Sequence, residues 1–519
     1  MDQKASSRVG AGFTLYEVSS RAWLYELRQK YGQDKVKTIA DIPDAELELL
    51  RDMQIHMLWL QGVWKLGNIG LELDKKEPSR IQAYHNALDH FGEGEEKDEP
   101  FSMDDVIGSP YAIVEYVVSE ELGGNEAMME FRKKCLNCGM KLMLDFVPNH
   151  MAVDCVWADD PSKKDFFIQK PKDKNVPHNP AEFMADGRAH GKDPYCGAWP
   201  DTAQLNYFNP EFRKAQVENL IQVAALCDGM RVDMAMLLIN RIHEQTWGNE
   251  LRASGWKAPP TEFWVDAIKE VRQHYPSTIF MAEVYWGLDS ELVGYGFDLA
   301  YDKHLYDHLI SGHMDNLRGY LTGHSENFYR HSAHFVENHD EPRAVTHFCG
   351  AMRANAAAAI SFLLPGCRLI FHGQWDACVK RLDVHLRRNS KYKVDEGTKN
   401  YYTKLLQIVA QPAFVEPDSV MKFVHPEPYD GNSDNDPWRC VSWSMIYNTN
   451  RYFVVVNYTD ADSAARFKLP QVDQAETKDG QVSVFEMMSG KEYKRSHEEL
   501  KSRGLHVVLR PWGIQVFRY

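Results

Sequence analysis

Two charged residues interrupt the mostly apolar stretch GMRVDMAM, residues 229–236. Side chains two positions apart on a β-strand share one face, so Arg231 and Asp233 would point in the same direction. The arginine would then stabilise the ionised form of the aspartate. Such a pair is either a buried salt bridge that ties strands together or a carboxylate kept charged for catalysis.

Other apolar runs also end in residues that can do acid–base or nucleophilic chemistry. They are Asp145, Asn149 and His150 in or after KLMLDFV, Glu283 within TIFMAEVYW, and Glu337 to Asp340 after SAHFV. Burial beside other carboxylates would keep Glu283 protonated, whereas Arg231 would keep Asp233 charged. A retaining glycosidase uses one protonated and one ionised carboxyl group as its acid and its nucleophile.

The elements that would position these residues are short apolar runs, which alternate with helix-like segments between about residues 50 and 410. This alternation indicates βαβ units and a parallel sheet, and eight runs are the number that closes a (β/α)₈ barrel. Active sites of such barrels lie at the C-terminal ends of the strands, where the polar residues fall. The runs are 56–63, 111–118, 141–147, 229–236, 278–286, 296–302, 332–338 and 367–373.

The predicted fold class is therefore α/β, a (β/α)₈ TIM barrel with a small insertion after strand 3 and a C-terminal antiparallel β domain. Residues 151–209, rich in Asp, Lys, Pro and Gly, form too long a stretch for a structureless loop. From about residue 414, short β-like runs are separated by turn residues. We expect a barrel over 1–413, with 151–209 as an inserted subdomain, and a β-sandwich over 414–519.

Composition narrows the classes of partner. The chain has 519 residues and a formal net charge of −15, which disfavours nucleic acid and membrane partners because both are anionic. The N-terminal stretch MDQKASSRVGAGF has no apolar run typical of a signal peptide, and the nine cysteines are odd in number and scattered. These features favour a reducing, cytoplasmic location. The segment GEGEEKDEP (92–100) is expected to be an acidic surface loop.

Four motifs resemble, in order, the signature regions of the alpha-amylase superfamily, glycoside hydrolase family 13. They are DFVPNH (145–150), GMRVDMA (229–235), FMAEVYW (280–286) and FVENHDEPR (335–343). The segment GSPYAIVEYVVSEELGG (108–124) is also similar to that family's second-strand segment. The resemblance extends from the barrel through the inserted subdomain to the C-terminal β-sandwich.

Position by position, the resemblance implies a role for each matched residue. Asp233 would be the nucleophile, Glu283 the general acid/base, and Asp340 the third carboxylate, which stabilises the transition state. Arg231 would orient the nucleophile. The remaining matches are His150 and His339, which would hydrogen-bond the sugar, Tyr111, which would stack on it, and Asp145, the structural acid of the third strand.

Three departures from the family pattern bear on the substrate and the cofactor. Many amylases carry Lys-His shortly after the nucleophile to hold the acceptor-side sugar, where this chain has Met236 and Leu237. This change argues against hydrolysis of long starch chains. Asn149 matches a calcium ligand of the family, but the inserted subdomain offers no identifiable partner acids, so we expect no metal or other cofactor. Glu115 stands where Asp is commoner.

Three functions remain open at this point. The first is a retaining α-glycosidase that hydrolyses α-linked glucosides, such as maltooligosaccharides, by double displacement through a glycosyl-enzyme. The second is a transglycosidase or phosphorylase that uses the same intermediate with a sugar or phosphate acceptor. The third is a catalytically silent relative that serves as a binding or scaffold subunit. An oligosaccharide or a small glucoside is the expected substrate, and the sequence does not predict the oligomeric state.

Overall fold

The computed structural model describes residues 12–89, 99–429 and 436–519. Most of the predicted acidic loop, at 92–98, lies outside the described residues. Eight parallel strands form a closed barrel in the order β1-β8-β7-β6-β5-β4-β3-β2. Their bounds are Gly12–Ser19 (β1), Met57–Gln61 (β2), Lys141–Phe146 (β3), Gly229–Val232 (β4), Ile279–Ala282 (β5), Leu299–Tyr301 (β6), Ser332–His334 (β7) and Gly366–Phe371 (β8). With the C-terminal antiparallel sheets described below, this architecture confirms the predicted fold class.

The structure corrects one of the eight predicted barrel strands and adds one that was not predicted. The strand β1 is absent from the eight predicted runs, and the run 111–118 is not a barrel strand. Instead, Ile113–Val118 pairs antiparallel with Trp64–Leu66 in a separate two-stranded sheet. Burial explains the difference, since β2 is buried at every position, as a strand covered on both faces must be. Ile113–Val118, by contrast, contains half-buried and exposed positions.

Helices connect and cover the strands. Their bounds are Ser20–Tyr31 (α1), Asp44–Asp52 (α2), Asn68–Asp74 (α3), Pro78–Leu88 (α4), Gly124–Asn137 (α5), Pro210–Leu226 (α6), Asn240–Ala253 (α7), Phe263–His274 (α8), Asp289–Gly294 (α9), Lys303–Ser311 (α10), Met314–Gly323 (α11), Glu326–Arg330 (α12), Ala344–His347 (α13), Ala351–Leu363 (α14), Glu396–Val409 (α15), Pro412–Val415 (α16) and His497–Ser502 (α17). Helix α7 has a kink at Trp247. Side-chain caps set several starts, as at α6, where Asn209 accepts from two backbone amides and proline occupies the first turn.

The chain forms two compact units, which are described separately. The N-terminal unit comprises Tyr16–Tyr301 and Lys380–Tyr392. The C-terminal unit comprises Asp302–Val379 and Lys393–Tyr519, together with residues 12–15. The domain bounds expected from the sequence, 1–413, 151–209 and 414–519, stay a prediction.

The connection between β3 and α6 in the N-terminal unit carries little regular structure. Its short strands His150–Ala152 and Thr202–Gln204 pair antiparallel, and 3₁₀ turns lie between them at Pro161–Phe166 and Pro180–Glu182. Part of this connection packs on α7, where Ile168, Phe208 and Trp247 share a small apolar cluster.

The C-terminal unit contains two antiparallel sheets after β7 and β8. The strands are Val420–Phe423 (β9), Pro426–Pro428 (β10), Cys440–Tyr447 (β11), Asn450–Asn457 (β12), Ser463–Phe467 (β13), Thr477–Lys478 (β14), Gln481–Glu486 (β15), Lys491–Ser496 (β16), Leu505–Leu509 (β17) and Ile514–Arg518 (β18). One sheet has the order β9-β11-β12-β18-β15-β14, with β16 on β15, and the other has the order β10-β13-β17. Alternate residues of these strands, such as Phe453, Phe467 and Val507, share one apolar core.

No helix in the described part of the chain is both long enough and apolar enough to cross a bilayer.

The folded structure predicts how one buried histidine affects stability. Burial lowers the pKa of His243 on α7 from 6.5 to about 3. As the pH falls below 6.5, the unfolded chain therefore binds a proton that the folded protein does not, and folding loses up to about 1.4 kcal/mol per pH unit. We expect the thermal unfolding midpoint of His243→Leu to fall less than that of the wild type when the pH is lowered from about 7 to about 5.

A matched control tests whether this effect comes from burial. His274 on α8 has a side chain that is 53% exposed, so His274→Leu should keep the pH dependence of the wild type. An unchanged pH dependence in His243→Leu would contradict the assignment.

Candidate active site

Arg231 occupies the centre of a charged cluster in the N-terminal unit. It lies on β4, is fully buried, and is in register with Asp145 on β3 and Met281 on β5. Its Nη1 donates to Asp233 Oδ1 at 2.9 Å and lies 3.8 Å from Asp145 Oδ1. Its Nη2 forms an ion pair with Glu283 Oε2 at 2.8 Å, without the alignment of a hydrogen bond. One guanidinium therefore links three carboxylates that follow or end neighbouring strands.

Aromatic rings surround the same guanidinium. Its central carbon lies 5.3 Å from the ring centre of Trp59, 5.5 Å from that of Tyr111 and 5.8 Å from that of Tyr301. The Tyr301 hydroxyl also accepts from Arg231 Nε at 3.3 Å. Burial, the largest single effect, lowers the pKa of Arg231, but the combined attraction of Glu283, Tyr301, Tyr111 and Asp233 outweighs burial and holds this pKa well above its ordinary value. Arg231 is therefore a permanent cation.

Backbone groups fix the position of Asp145. Its Oδ2 accepts from the backbone amide of Gly62 at 3.0 Å, and its backbone carbonyl accepts from the indole of Trp64 at 2.8 Å. The segment after β2 thus holds the end of β3. The same segment positions Tyr111, whose hydroxyl accepts from Gln61 Nε2 at 2.8 Å.

Three groups besides burial determine the environment of Glu283. Its Oε2 accepts from the backbone amide of Met234 at 2.7 Å, in addition to the ion pair with Arg231. Its Oε1 accepts from the Tyr285 hydroxyl at 2.9 Å. Together these contacts hold the Glu283 carboxyl group in one position. The expectation that Glu283 is protonated stays a prediction.

Met234 and Tyr285 are functional candidates that the sequence analysis missed. Met234 follows Asp233 and adopts a left-handed conformation with φ 41°, which turns its amide toward Glu283. Tyr285 lies two positions after Glu283 in FMAEVYW, and this spacing was the available signal. Trp286 also has a positive φ, 62°, and its ring makes an edge contact with Tyr195, which is 70% exposed.

His150 lies in the same unit beside Tyr111 and Trp199. Burial lowers its pKa to about 4, and the backbone of Tyr111 accepts a hydrogen bond from its ring. The imidazole is therefore neutral at pH 7. Its ring centre is 5.1 Å from that of Trp199. The predicted hydrogen bond from His150 to a sugar stays a prediction.

The surroundings of Asn149 do not fit a calcium ion. Its backbone carbonyl and its Oδ1 both accept from Gln204 Nε2, at 2.9 Å and 3.0 Å. An amide donor thus engages the oxygens that Ca²⁺ would need as ligands. Among the described residues, no group of three or more His, Cys, Asp or Glu side chains is placed to hold a metal.

The motif FVENHDEPR lies in the C-terminal unit after β7. His339 is buried, and its Nε2 lies 3.0 Å from Asp340 Oδ2, whose side chain is 41% exposed. Asn338 orders the turn because its Oδ1 accepts from the backbone amides of Asp340 and Glu341, both at 2.9 Å. Asp340 is thus the most exposed of the three predicted catalytic carboxylates, since Asp233 and Glu283 are 7% and 3% exposed.

Glu337 has a structural environment. Its Oε1 accepts from Arg343 at 2.8 Å, and its Oε2 accepts from the backbone amide of Ala344. Arg343 in turn donates to the backbone carbonyl of His372 at 2.7 Å. This pair ties the end of β7 to the residue that follows β8. Glu337 is therefore distinct from Asp340, although both lie in one acidic motif.

The model of one protein family matches nearly the whole chain. It is described as the alpha-amylase catalytic domain and extends over residues 46–502. The chain belongs to the alpha-amylase family. Its relatives include an alpha-amylase MalA of Haloarcula japonica, 22% identical over 69% of this chain and 49% of the relative. An alpha-glucosidase of Culex pipiens is 23% identical over 50% of this chain and 51% of the relative. The chain thus spans about half the length of these two curated relatives.

Solved structures of the alpha-amylase family share the fold. The crystal structure of an alpha-amylase from Lactobacillus plantarum superimposes with a TM-score of 0.65 at 19% identity, covering 100% of both chains. The crystal structure of the maltogenic alpha-amylase AmyB from Thermotoga neapolitana superimposes with a TM-score of 0.65 at 18% identity, covering 100% of this chain and 99% of the other.

The charged cluster generates a stability prediction. Arg231→Leu would leave three buried carboxylates without their cation, which should lower the free energy of unfolding by about 3–5 kcal/mol. Urea denaturation at pH 7 measures the loss. Arg231→Lys keeps the charge and should lose less, and Asp233→Asn added to Arg231→Leu should restore part of the loss. A change below about 1 kcal/mol in Arg231→Leu would contradict the central role of this cation.

Proposed function

We propose that the protein is a retaining α-glycosidase that acts on α-linked glucosides of the maltooligosaccharide type. The observation that carries this proposal is the single buried guanidinium of Arg231, which contacts both Asp233 and Glu283. Two carboxyl groups on one guanidinium are compatible with the ~5 to 5.5 Å separation that retaining glycosidases require. Membership of the alpha-amylase family supports the same reaction.

In the first step, the carboxylate of Asp233 attacks the anomeric carbon while Glu283 donates its proton to the glycosidic oxygen. The bond between the anomeric carbon and that oxygen breaks, and a glycosyl ester forms on Asp233. In the second step, Glu283 accepts a proton from water as the water oxygen attacks the same carbon. This attack releases the sugar and returns Asp233 to its ionised form.

The neighbours of the two carboxyl groups have distinct tasks in this mechanism. Arg231 donates an aligned hydrogen bond to Asp233, which keeps the nucleophile charged and oriented. It also forms an ion pair with Glu283 Oε2 at 2.8 Å, which places the general acid/base beside the nucleophile. The amide of Met234 and the hydroxyl of Tyr285 hold the Glu283 carboxyl group in place.

The remaining predicted residues would bind the sugar. Family resemblance assigns Asp340, His339 and His150 to hydrogen bonds with the sugar, and Tyr111 to stacking on a sugar ring. A neutral imidazole at His150 suits this task, because a neutral ring can donate and accept hydrogen bonds. The net negative charge of the chain neither attracts nor repels a neutral carbohydrate.

The acceptor side favours short substrates. Met236 and Leu237 lie in the 3₁₀ turn Ala235–Leu238 and are buried, so neither offers a polar group to a further sugar. Trp286, three positions after Glu283, and Tyr195, whose ring contacts that of Trp286, are exposed aromatic residues, and such rings stack on sugars. We infer that, on the acceptor side, stacking of aromatic rings on the sugar replaces hydrogen bonds from polar side chains.

Product analysis tests the reaction type. We expect wild-type protein to release the α-anomer first from an activated α-glucoside, as seen by proton NMR. Asp233→Asn should abolish turnover, whereas the matched control Asp159→Asn, at an exposed position, should keep it. Glu283→Gln should accumulate a glycosyl ester on Asp233 that mass spectrometry detects. First release of the β-anomer, or full activity in Asp233→Asn, would refute the mechanism.

A substrate panel separates hydrolysis from its alternatives. Maltooligosaccharides, sucrose, trehalose and activated glucosyl donors are supplied with and without phosphate. Free sugar as the dominant product supports the glycosidase, and longer oligosaccharides or sugar phosphates would point to a transglycosidase or a phosphorylase. No product from any substrate of the panel would favour a catalytically silent scaffold subunit.

The contact between Tyr285 and Glu283 generates a separate prediction. Tyr285→Phe removes a hydrogen bond to a charged group, worth about 1.5–3 kcal/mol, so kcat should fall about tenfold or more while KM changes little. Tyr275→Phe is the control, because that hydroxyl makes no hydrogen bond within the described part of the chain. A rise in KM at constant kcat would instead assign Tyr285 to substrate binding.

A further inference from the structure

A cavity in the N-terminal unit is formed by α1, the segment after α1 and the turn at Glu120–Leu122. Its volume is ≈ 420 Å³, within the range of small-molecule sites. The lining includes none of the residues assigned above to the candidate active site. We call it the Arg21 cavity, after the buried residue in its wall.

The Arg21 cavity is strongly basic. Its charged lining consists of Arg21, Arg28, Lys37 and Arg387 against one acid, Glu121. The chain as a whole has a net charge of −15. Four cations around one cavity repel each other, and this repulsion is relieved when an anion binds among them. A local excess of positive charge on an acidic protein therefore indicates an anionic ligand.

Two of the cations are held in place by the backbone. Arg21 is 6% exposed and donates through Nη1 to the carbonyl of Gly62. Arg28 donates through Nε to the carbonyl of Val36 at 3.0 Å and through Nη2 to that of Lys37. Both guanidinium groups are thus ordered before any ligand arrives, which reduces the entropy that binding costs.

The other two cations are available to a ligand. Lys37 and Arg387 are exposed, and neither side chain forms a hydrogen bond or an ion pair with any residue that the structure describes. Arg21, by contrast, is paired with Glu121, which is 46% exposed. Glu121 therefore competes with an incoming anion for Arg21.

We propose that the Arg21 cavity binds the phosphate group of a small phosphorylated metabolite. Arginine forks match phosphate oxygens and bind them with charge-assisted hydrogen bonds. The net charge of −15 disfavours long polyanions, whose many phosphates would meet the acidic surface outside the cavity. A small ligand avoids this repulsion. The proposal does not depend on the glycosidase activity.

Isothermal titration with sodium pyrophosphate, at low ionic strength, tests the site on the intact chain. We expect saturable binding of one equivalent and an affinity at least about tenfold weaker in Lys37→Ala/Arg387→Ala. The control Lys257→Ala/Lys269→Ala removes the same charge from exposed positions outside the cavity and should bind like the wild type. Glu121→Gln should bind several-fold more tightly, because Arg21 loses its internal partner.

Further ligands identify the kind of anion. Glucose 6-phosphate and adenosine monophosphate represent phosphorylated metabolites, orthophosphate represents the free ion, and an oligothymidylate represents a polyanion. Tighter binding of at least one phosphorylated metabolite than of orthophosphate supports the proposal. Orthophosphate as the tightest ligand, preference for the oligothymidylate, equal loss in both double variants, or no saturable binding would overturn it. All these readouts are independent of catalysis, so a failed glycosidase assay leaves them intact.

Discussion

The buried charge of Arg231 is the constraint on which the site depends. A guanidinium removed from water is tolerated only when anions and hydrogen-bond acceptors surround it. Three carboxylates, from the ends of β3 and β4 and the residue after β5, supply that compensation, together with the rings of Trp59, Tyr111 and Tyr301. The strand register follows from this requirement, since a slip of one residue between β3 and β4 would turn Asp145 away from Arg231. The register of these strands and the proposed catalytic geometry thus depend on the same cation.

That arrangement also explains why two similar carboxyl groups can act differently. Asp233 receives an aligned hydrogen bond from Arg231, whereas Glu283 receives its hydrogen bonds from a backbone amide and a phenol. Arg231 also forms an ion pair with Glu283 at 2.8 Å, so one guanidinium contacts both groups. The surroundings of the two carboxyl groups therefore differ in the neutral donors that Glu283 has in addition, since burial is nearly the same for both.

The sequence predicted the chemistry of the site better than the path of the chain. Arg231, Asp233 and Glu283 were identified because charged residues in apolar strands are rare and their two-residue spacing has a direct geometric meaning. The strand β1 escaped because GFTLYEVS carries polar residues at buried barrel positions, including Thr14 and Glu17. The run 111–118 was misplaced because its apolar residues pack in a small outer sheet. Neither the left-handed turn at Met234 nor the hydroxyl contact of Tyr285 follows from residue type, since the first depends on how the chain turns after β4 and the second on where β5 ends.

Gly62 links two parts of the N-terminal unit through its own backbone. Its carbonyl accepts a hydrogen bond from Arg21 in the wall of the Arg21 cavity, and its amide donates one to Asp145 beside Arg231. The residue has φ 72°, and a Cβ atom there would lie 2.9 Å from the Cβ of Pro110. A side chain is therefore excluded by both conformation and space. The carbonyl and the amide of one residue thus engage both Arg21 and Asp145, so a substitution that moved Gly62 would disturb both of these hydrogen bonds.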